Sequence, residues 1–192
     1  MKEVALCLAV LLVCACASSP PVNFFVLDAI VPAGVAANAP GDPLQVTRVH
    51  MPATLDRREI VREDAPNKLT ISSQNRWGAP LPDMTQRVLS QNLMLRLPAG
   101  RVVLPDQPAP DRTSSISVDI LQFGADASST IVLDGSWSVV PSGTEAARAT
   151  HRFQLSQRTV RDDYAEQARV MSVLLGQLAD AIAHQMSVPH AD

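Results

Sequence analysis

The 192-residue chain carries 16 Lys and Arg against 19 Asp and Glu, a formal net charge of −3, and shows no clustered basic face of the kind that binds nucleic acid. All three cysteines fall within the first sixteen residues. That placement excludes a disulfide framework spread through the chain and, without further soft ligands at usable spacing, a structural zinc site.

Residues 4–16 contain no charged and no strongly polar side chain. Such a run is too short for a membrane helix, which needs roughly 20 apolar residues, and it matches a signal-peptide core of about 7–15. Ahead of it, Glu3 offsets Lys2. Val13-Cys14-Ala15 before Cys16 has the pattern of a bacterial lipobox, with a branched apolar residue three before the cysteine and a small one immediately before it. Residues 1–15 are therefore expected to be a lipoprotein signal peptide, cut between Ala15 and Cys16. Cys16 then carries a diacylglyceryl group on its sulfur and a third acyl chain on its new amine. Acyl burial is worth about 0.8 kcal/mol per CH₂, and one chain holds only marginally, so a triacylated cysteine makes a stable anchor. The alternative is an ordinary secretory signal with incidental cysteines. Ala17-Ser18-Ser19 lacks the Asp that follows the cysteine of lipoproteins retained in the inner membrane of enteric bacteria. The periplasmic face of the outer membrane of a Gram-negative envelope is thus the expected location.

Residues 16–23 read as a lipidated tether, whose last seven residues span at most about 25 Å. One domain is expected over 24–187, with a disordered tail at 188–192. Residues 24–30, "FFVLDAI", read as a first strand, and the Pro-, Gly- and Ala-rich stretch to Pro43 as a loop. A second strand is predicted over 44–52. Residues 55–64 and 67–77 read as two strands joined at a turn built on Pro66 and Asn67. A helix follows over 81–98, opened by Pro82 and Asp83 and ending before Pro98. After a short strand at 101–105 come three segments at hairpin spacing, 115–126, 129–140 and 149–159, whose alternation predicts an antiparallel meander with one buried face. The final helix, within 162–186, repeats Tyr164, Ala168, Met171, Leu174, Leu175, Leu178 and Ile182 at helical spacing. The fold class expected is α+β: a mixed, largely antiparallel sheet with two helices packed on one face.

Catalytic chemistry has little to stand on in this sequence. His50, His151, His184 and His190 are scattered with no metal-ligand spacing, no G-x-S-x-G elbow is present, and there is no Gly-rich phosphate loop. No cofactor, metal or catalytic residue is assigned. Residues 55–63, "LDRREIVRE", are the densest charge cluster and include Arg57, Arg58 and Arg62. They read either as an edge strand protected from aggregation or as a partner-binding surface. Arg76 beside Trp77 reads either as part of that surface, since both residue types are enriched in interface hot spots, or as a tryptophan pinning a strand-to-helix corner.

The acylated cysteine followed by "ASSPP", then "FFVL", "LDRREIVRE", "NKL" and "NRWGAPL" leading into a helix that contains "LSQNL", resembles the ABC-type transport auxiliary lipoproteins, the group of paraquat-inducible protein C. The resemblance covers nearly the whole mature chain, and the Arg-Trp-x-x-Pro-Leu run is its most specific part. It implies a non-enzymatic accessory beside an MCE-domain protein (PqiB-like) and, indirectly, an inner-membrane ABC permease, in a system moving lipid between two membranes. No catalytic residues come with the family. A structural envelope lipoprotein without a transporter is the alternative, and a periplasmic hydrolase a third reading; self-association is left open.

Overall fold

A computed structural model describes residues 20–32, 34, 41–144 and 149–187. The expected signal segment 1–15, Cys16, residues 17–19 of the tether and the tail 188–192 lie outside the described residues. In chain order the elements are β1 (Asn23–Phe25), β2 (Leu44–His50), β3 (Glu59–Ala65), β4 (Lys68–Trp77), α1 (Leu81–Met94), β5 (Val102–Val103), β6 (Ser114–Ala125), β7 (Thr130–Val140), β8 (Thr150–Arg158) and α2 (Tyr164–Ser187). The fold is α+β, as the patterning predicts. Its strands divide between two sheets, a three-stranded one ordered β1-β4-β3 and a five-stranded one ordered β5-β2-β6-β7-β8.

The meander β6-β7-β8 is antiparallel throughout. Its inner face carries Ile116, Val118, Ile120, Ile131, Leu133, Trp137 and Phe153, all buried. The β6–β7 turn is held by Asp126, whose Oδ1 accepts hydrogen bonds from the backbone N–H groups of Ser128 at 2.8 Å and Thr130 at 2.9 Å. At Gly135 a Cβ would collide with the Asp119 carbonyl and the Phe153 ring, so the meander closes only over a glycine there. A bulge between Ile120 and Gln122 breaks the two-residue alternation of β6. Ile120 and Phe123 are therefore both buried, while Leu121 between them is exposed. β2 joins β6 in parallel and is itself bulged between Val46 and Arg48; the Val46 carbonyl beside that bulge accepts a hydrogen bond from Gln86 Nε2 of α1 at 2.8 Å.

Both helices form as their periodicity predicts. α1 begins with Pro82 in its first turn and Asp83 near the positive end of its dipole. At the start of α2, Asp163 Oδ1 accepts from the Glu166 N–H at 2.7 Å, satisfying one of the donors a helix start leaves free. The stripe Met171, Leu174, Leu175, Leu178 and Ile182 is fully buried.

The first strand departs from expectation. It ends at Phe25, and residues 26–30 leave the sheet to become a strap lying along both helices. The residues that capture the strap are buried and polar. Ser172 Oγ of α2 accepts from the Asp28 N–H at 3.1 Å, and Asn92 Oδ1 of α1 from the Ile30 N–H at 2.9 Å. Arg96, only 4% exposed, donates from Nη1 to the Ile30 and Asn92 carbonyls, each at 3.0 Å, and from Nε to Asp180 Oδ1 of α2 at 2.6 Å. A strand pattern is overridden because side chains from the two helices supply the partners a neighbouring strand would have supplied.

Two predictions follow from these contacts. Arg96→Met leaves the Ile30 carbonyl without its donor, and since orphaned buried polar groups cost about 1–3 kcal/mol each, urea unfolding is expected to register a loss of that order or more. Asp180→Asn, which keeps an acceptor, is expected to lose less. The second concerns acid. Glu166 is nearly fully buried, and its carboxylate accepts from Arg169 Nε and Nη2, both at 2.8 Å, and from the Val160 N–H at 3.1 Å. Chiefly through Arg169, and next through Val160, its pKa is held at about 2, below the ordinary 4.5. A depressed folded-state value means stability that is complete above about 4.5 and lost as pH falls toward about 2. The melting temperature of the native chain is expected to drop more steeply across that window than that of Glu166→Gln.

Candidate functional site

The three-stranded sheet presents two unlike faces. Its hairpin turns at Pro66 and Asn67, where Asn67 takes the left-handed φ of 64° that asparagine tolerates better than most side chains. In register, Phe25 pairs with Trp77, and Phe24 with Arg76, which in turn pairs with Glu59. Paired residues project to the same side of a sheet. Phe25 and Trp77 thus face the core, with Phe25 6.2 Å from the Tyr164 ring of α2, and Phe24, Arg76 and Glu59 make a row on the outer face.

The five residues singled out as a partner surface do not act together. Trp77 is 2% exposed and belongs to the core, pinning the corner from β4 into α1. It therefore offers no surface to a partner. Arg62 is committed internally: Nε donates to Gln167 Oε1 and Nη1 to Asp162 Oδ1, each at 2.7 Å, and its guanidinium lies 4.4 Å above the Tyr164 ring. It ties β3 to the start of α2. Arg57, Arg58 and Arg76 remain at the surface. Arg57 pairs with Glu59 at 3.1 Å, and Arg58 is exposed. Arg76 is half-buried, and its Nε has no hydrogen-bond partner among the described residues. Glu59's own backbone N–H and the Arg57 guanidinium hold its carboxyl below the usual range, with Arg76 adding to the effect.

Beside these arginines lies an apolar groove of about 260 Å³ between the β3–β4 hairpin and β6, lined by Leu55, Val61, Leu69, Leu121 and Phe123 among others. Leu69 and Leu121 are more than half exposed there, and Ile71, farther along β4, is nearly so. Residue spacing did not reveal this groove, because alternation along β6 puts Leu121 outward but does not show that the β3–β4 hairpin lies beside it, while the bulge returns Phe123 to the groove's floor. The signal that was legible is the slip from Ile116-Val118-Ile120 to Phe123 within the strand.

Among the described residues no group of three or more His, Cys, Asp or Glu could hold a metal ion. His151 is stacked on Trp137 with ring centroids 4.3 Å apart. Among the described residues no helix is long and apolar enough to cross a membrane. Exposed apolar side chains beside arginines are the composition of surfaces that are buried against partners.

A sheet of this order backed by two helices is shared with solved structures. One, a crystal structure of an uncharacterized protein, superposes with a TM-score of 0.74 at 21% identity, covering 88% of this chain and 100% of that one. Another, a Xanthomonas campestris protein of family DUF330, gives 0.66 at 12% identity, covering 86% of this chain and 94% of that one. The model of the ABC-type transport auxiliary lipoprotein component matches residues 25–183, and the chain belongs to that family. No curated protein matches it.

The division among the five residues is measurable. Trp77→Ala removes a core side chain and is expected to lower stability by about 3–5 kcal/mol, whereas Arg57→Ala and Arg58→Ala are expected to stay within about 0.5 kcal/mol of the native chain, as read by thermal or urea unfolding.

Proposed function

We propose that this chain is the outer-membrane-anchored auxiliary lipoprotein of an MCE-type, ABC-linked system for moving lipid between two membranes. It would be attached through acylated Cys16 and would dock the far end of the conduit at the periplasmic face of that membrane. The observation that carries the proposal is the match of residues 25–183 to a family of transport auxiliary lipoproteins. The lipobox ahead of Cys16 supports the anchor, and the absence of Asp at positions 17–19 supports the outer membrane. Its partner is an MCE-domain protein and, through it, the inner-membrane permease.

The docking surface is the corner where Arg57 and Arg58, just after Leu55 in the chain, adjoin the groove of Leu55, Leu69 and Leu121. Arg76 lies inward of them on the central strand. Arg62 lines the groove while held to the start of α2, and Trp77 supports the sheet from its core face. Desolvated arginines at such positions commonly carry 2 kcal/mol or more apiece, about thirtyfold in affinity.

Two measurements test this reading. Cells fed a palmitate analogue are expected to label the native chain and not Cys16→Ser; label that persists in Cys16→Ser, or is abolished by Cys14→Ser instead, overturns the anchor. In crosslinked envelopes the native chain is expected to recover an MCE-domain protein and Arg57→Ala/Arg58→Ala to lose it at unchanged melting temperature. Recovery of no such protein by the native chain would leave a structural envelope lipoprotein.

A further inference from the structure

The outer face of β1 is unlike the rest of the surface. Phe24 within β1 is 62% exposed, and Val22 just before the strand and Val26 just after it are 39% and 55% exposed. They follow one another at the two-residue spacing that puts side chains on one side of an extended chain. β1 is an edge, hydrogen-bonded on one side to β4. From residue 17 to residue 27 the sequence holds no charged side chain, the first being Asp28. Edge strands are ordinarily guarded by charge, and this one is guarded by none of its own.

The position of this strand in the chain says what covers it. If Cys16 is acylated, its sulfur lies in the membrane, and the eight residues from Cys16 to Phe24 reach at most about 28 Å when fully extended. Phe24 is therefore held within that distance of the acylated sulfur, a range that includes the headgroup region. A cationic side chain stands in the right place as well, since Arg76 is in register with Phe24 on the same side of the sheet. A phenylalanine at the acyl boundary beside an arginine at the phosphates is the pattern of an interfacial protein segment. We propose that the Val22-Phe24-Val26 edge of β1 is a second membrane contact, lying in the interfacial region of the bilayer beside the acylated cysteine. It fixes the orientation of the domain on the membrane. The contact leaves the Arg57–Arg58 corner, on the opposite edge of the same sheet, turned toward the periplasm.

This inference rests on the acylation of Cys16, and its test separates the two. In the acylated chain the Cys16 sulfur is blocked, so Phe24→Cys, Val26→Cys and a control, Ser142→Cys, each introduce one reactive thiol into the mature protein. Ser142 is exposed in the β7–β8 connection, at the end of the meander opposite Gly124, whose Cα lies close to the Val61 carbonyl of the small sheet. Each full-length variant is purified from membranes, labelled with an environment-sensitive fluorophore and reconstituted into phosphatidylethanolamine–phosphatidylglycerol vesicles with and without doxyl-labelled lipid. Flotation reports the anchor and quenching reports depth. The expected result is flotation of all three, with fluorophores at positions 24 and 26 quenched several-fold more by doxyl lipid than the one at 142. Flotation with equal, weak quenching at all positions overturns the membrane contact and leaves the anchor intact. Failure to float overturns the acylation reading and the contact with it. Protection of position 24 from aqueous iodide in native envelopes, without doxyl quenching in vesicles, assigns the edge to a protein instead and also overturns the proposal.

Discussion

The architecture depends on the capture of one short strap by three buried polar side chains. After Phe25 the chain runs along both helices, and its N–H and carbonyl groups need partners that no strand provides. Ser172, Asn92 and Arg96 provide them. Arg96 does the most, because it also closes an ion pair onto Asp180 and so joins the end of α1, the strap and α2 at one point. Its own burial is tolerable only because its donors are directed at fixed acceptors. With the helices locked to the strap, β1 is held against β4, and the small sheet acquires its third strand.

That arrangement determines what the small sheet can offer. One face is sealed by Phe25, Trp77 and the first turn of α2, where Arg62, Asp162, Gln167 and Tyr164 meet. The other is left open, carrying Phe24, Arg76 and Glu59 across three strands. The same charge cluster therefore splits by place: Arg62, on β3, is drawn inward to serve the fold, while Arg57 and Arg58, in the turn before β3, stay in water. Arginines close together in sequence differ because Arg62 lies within reach of Gln167, Asp162 and the Tyr164 ring at the start of α2.

The larger sheet contributes by an irregularity. Had β6 kept strict alternation, Leu121 would lie in register with the strand's other outward residues and Phe123 would face solvent with it. The bulge restores Phe123 to the core and leaves Leu121 beside the hairpin, next to Leu69 and Ile71. A groove appears where two sheets approach without merging.

Local pattern in the sequence determined the α+β class, the meander, both helices and the Pro66–Asn67 turn, because each rests on periodicity or turn chemistry within a few residues. Residues 25–183 also carried the family. The sequence could not say that the strand starting at Phe24 would stop after Phe25, because its competitors, Asn92, Arg96 and Ser172, lie 62 to 144 residues away along the chain. Nor could it sort Trp77 and Arg62 from Arg57, Arg58 and Arg76, since composition marks all five alike and only packing decides which of them water can reach. Propensity acts over one or two turns of chain; burial of a particular side chain is set by whatever distant segment folds over it, and here that was the start of α2.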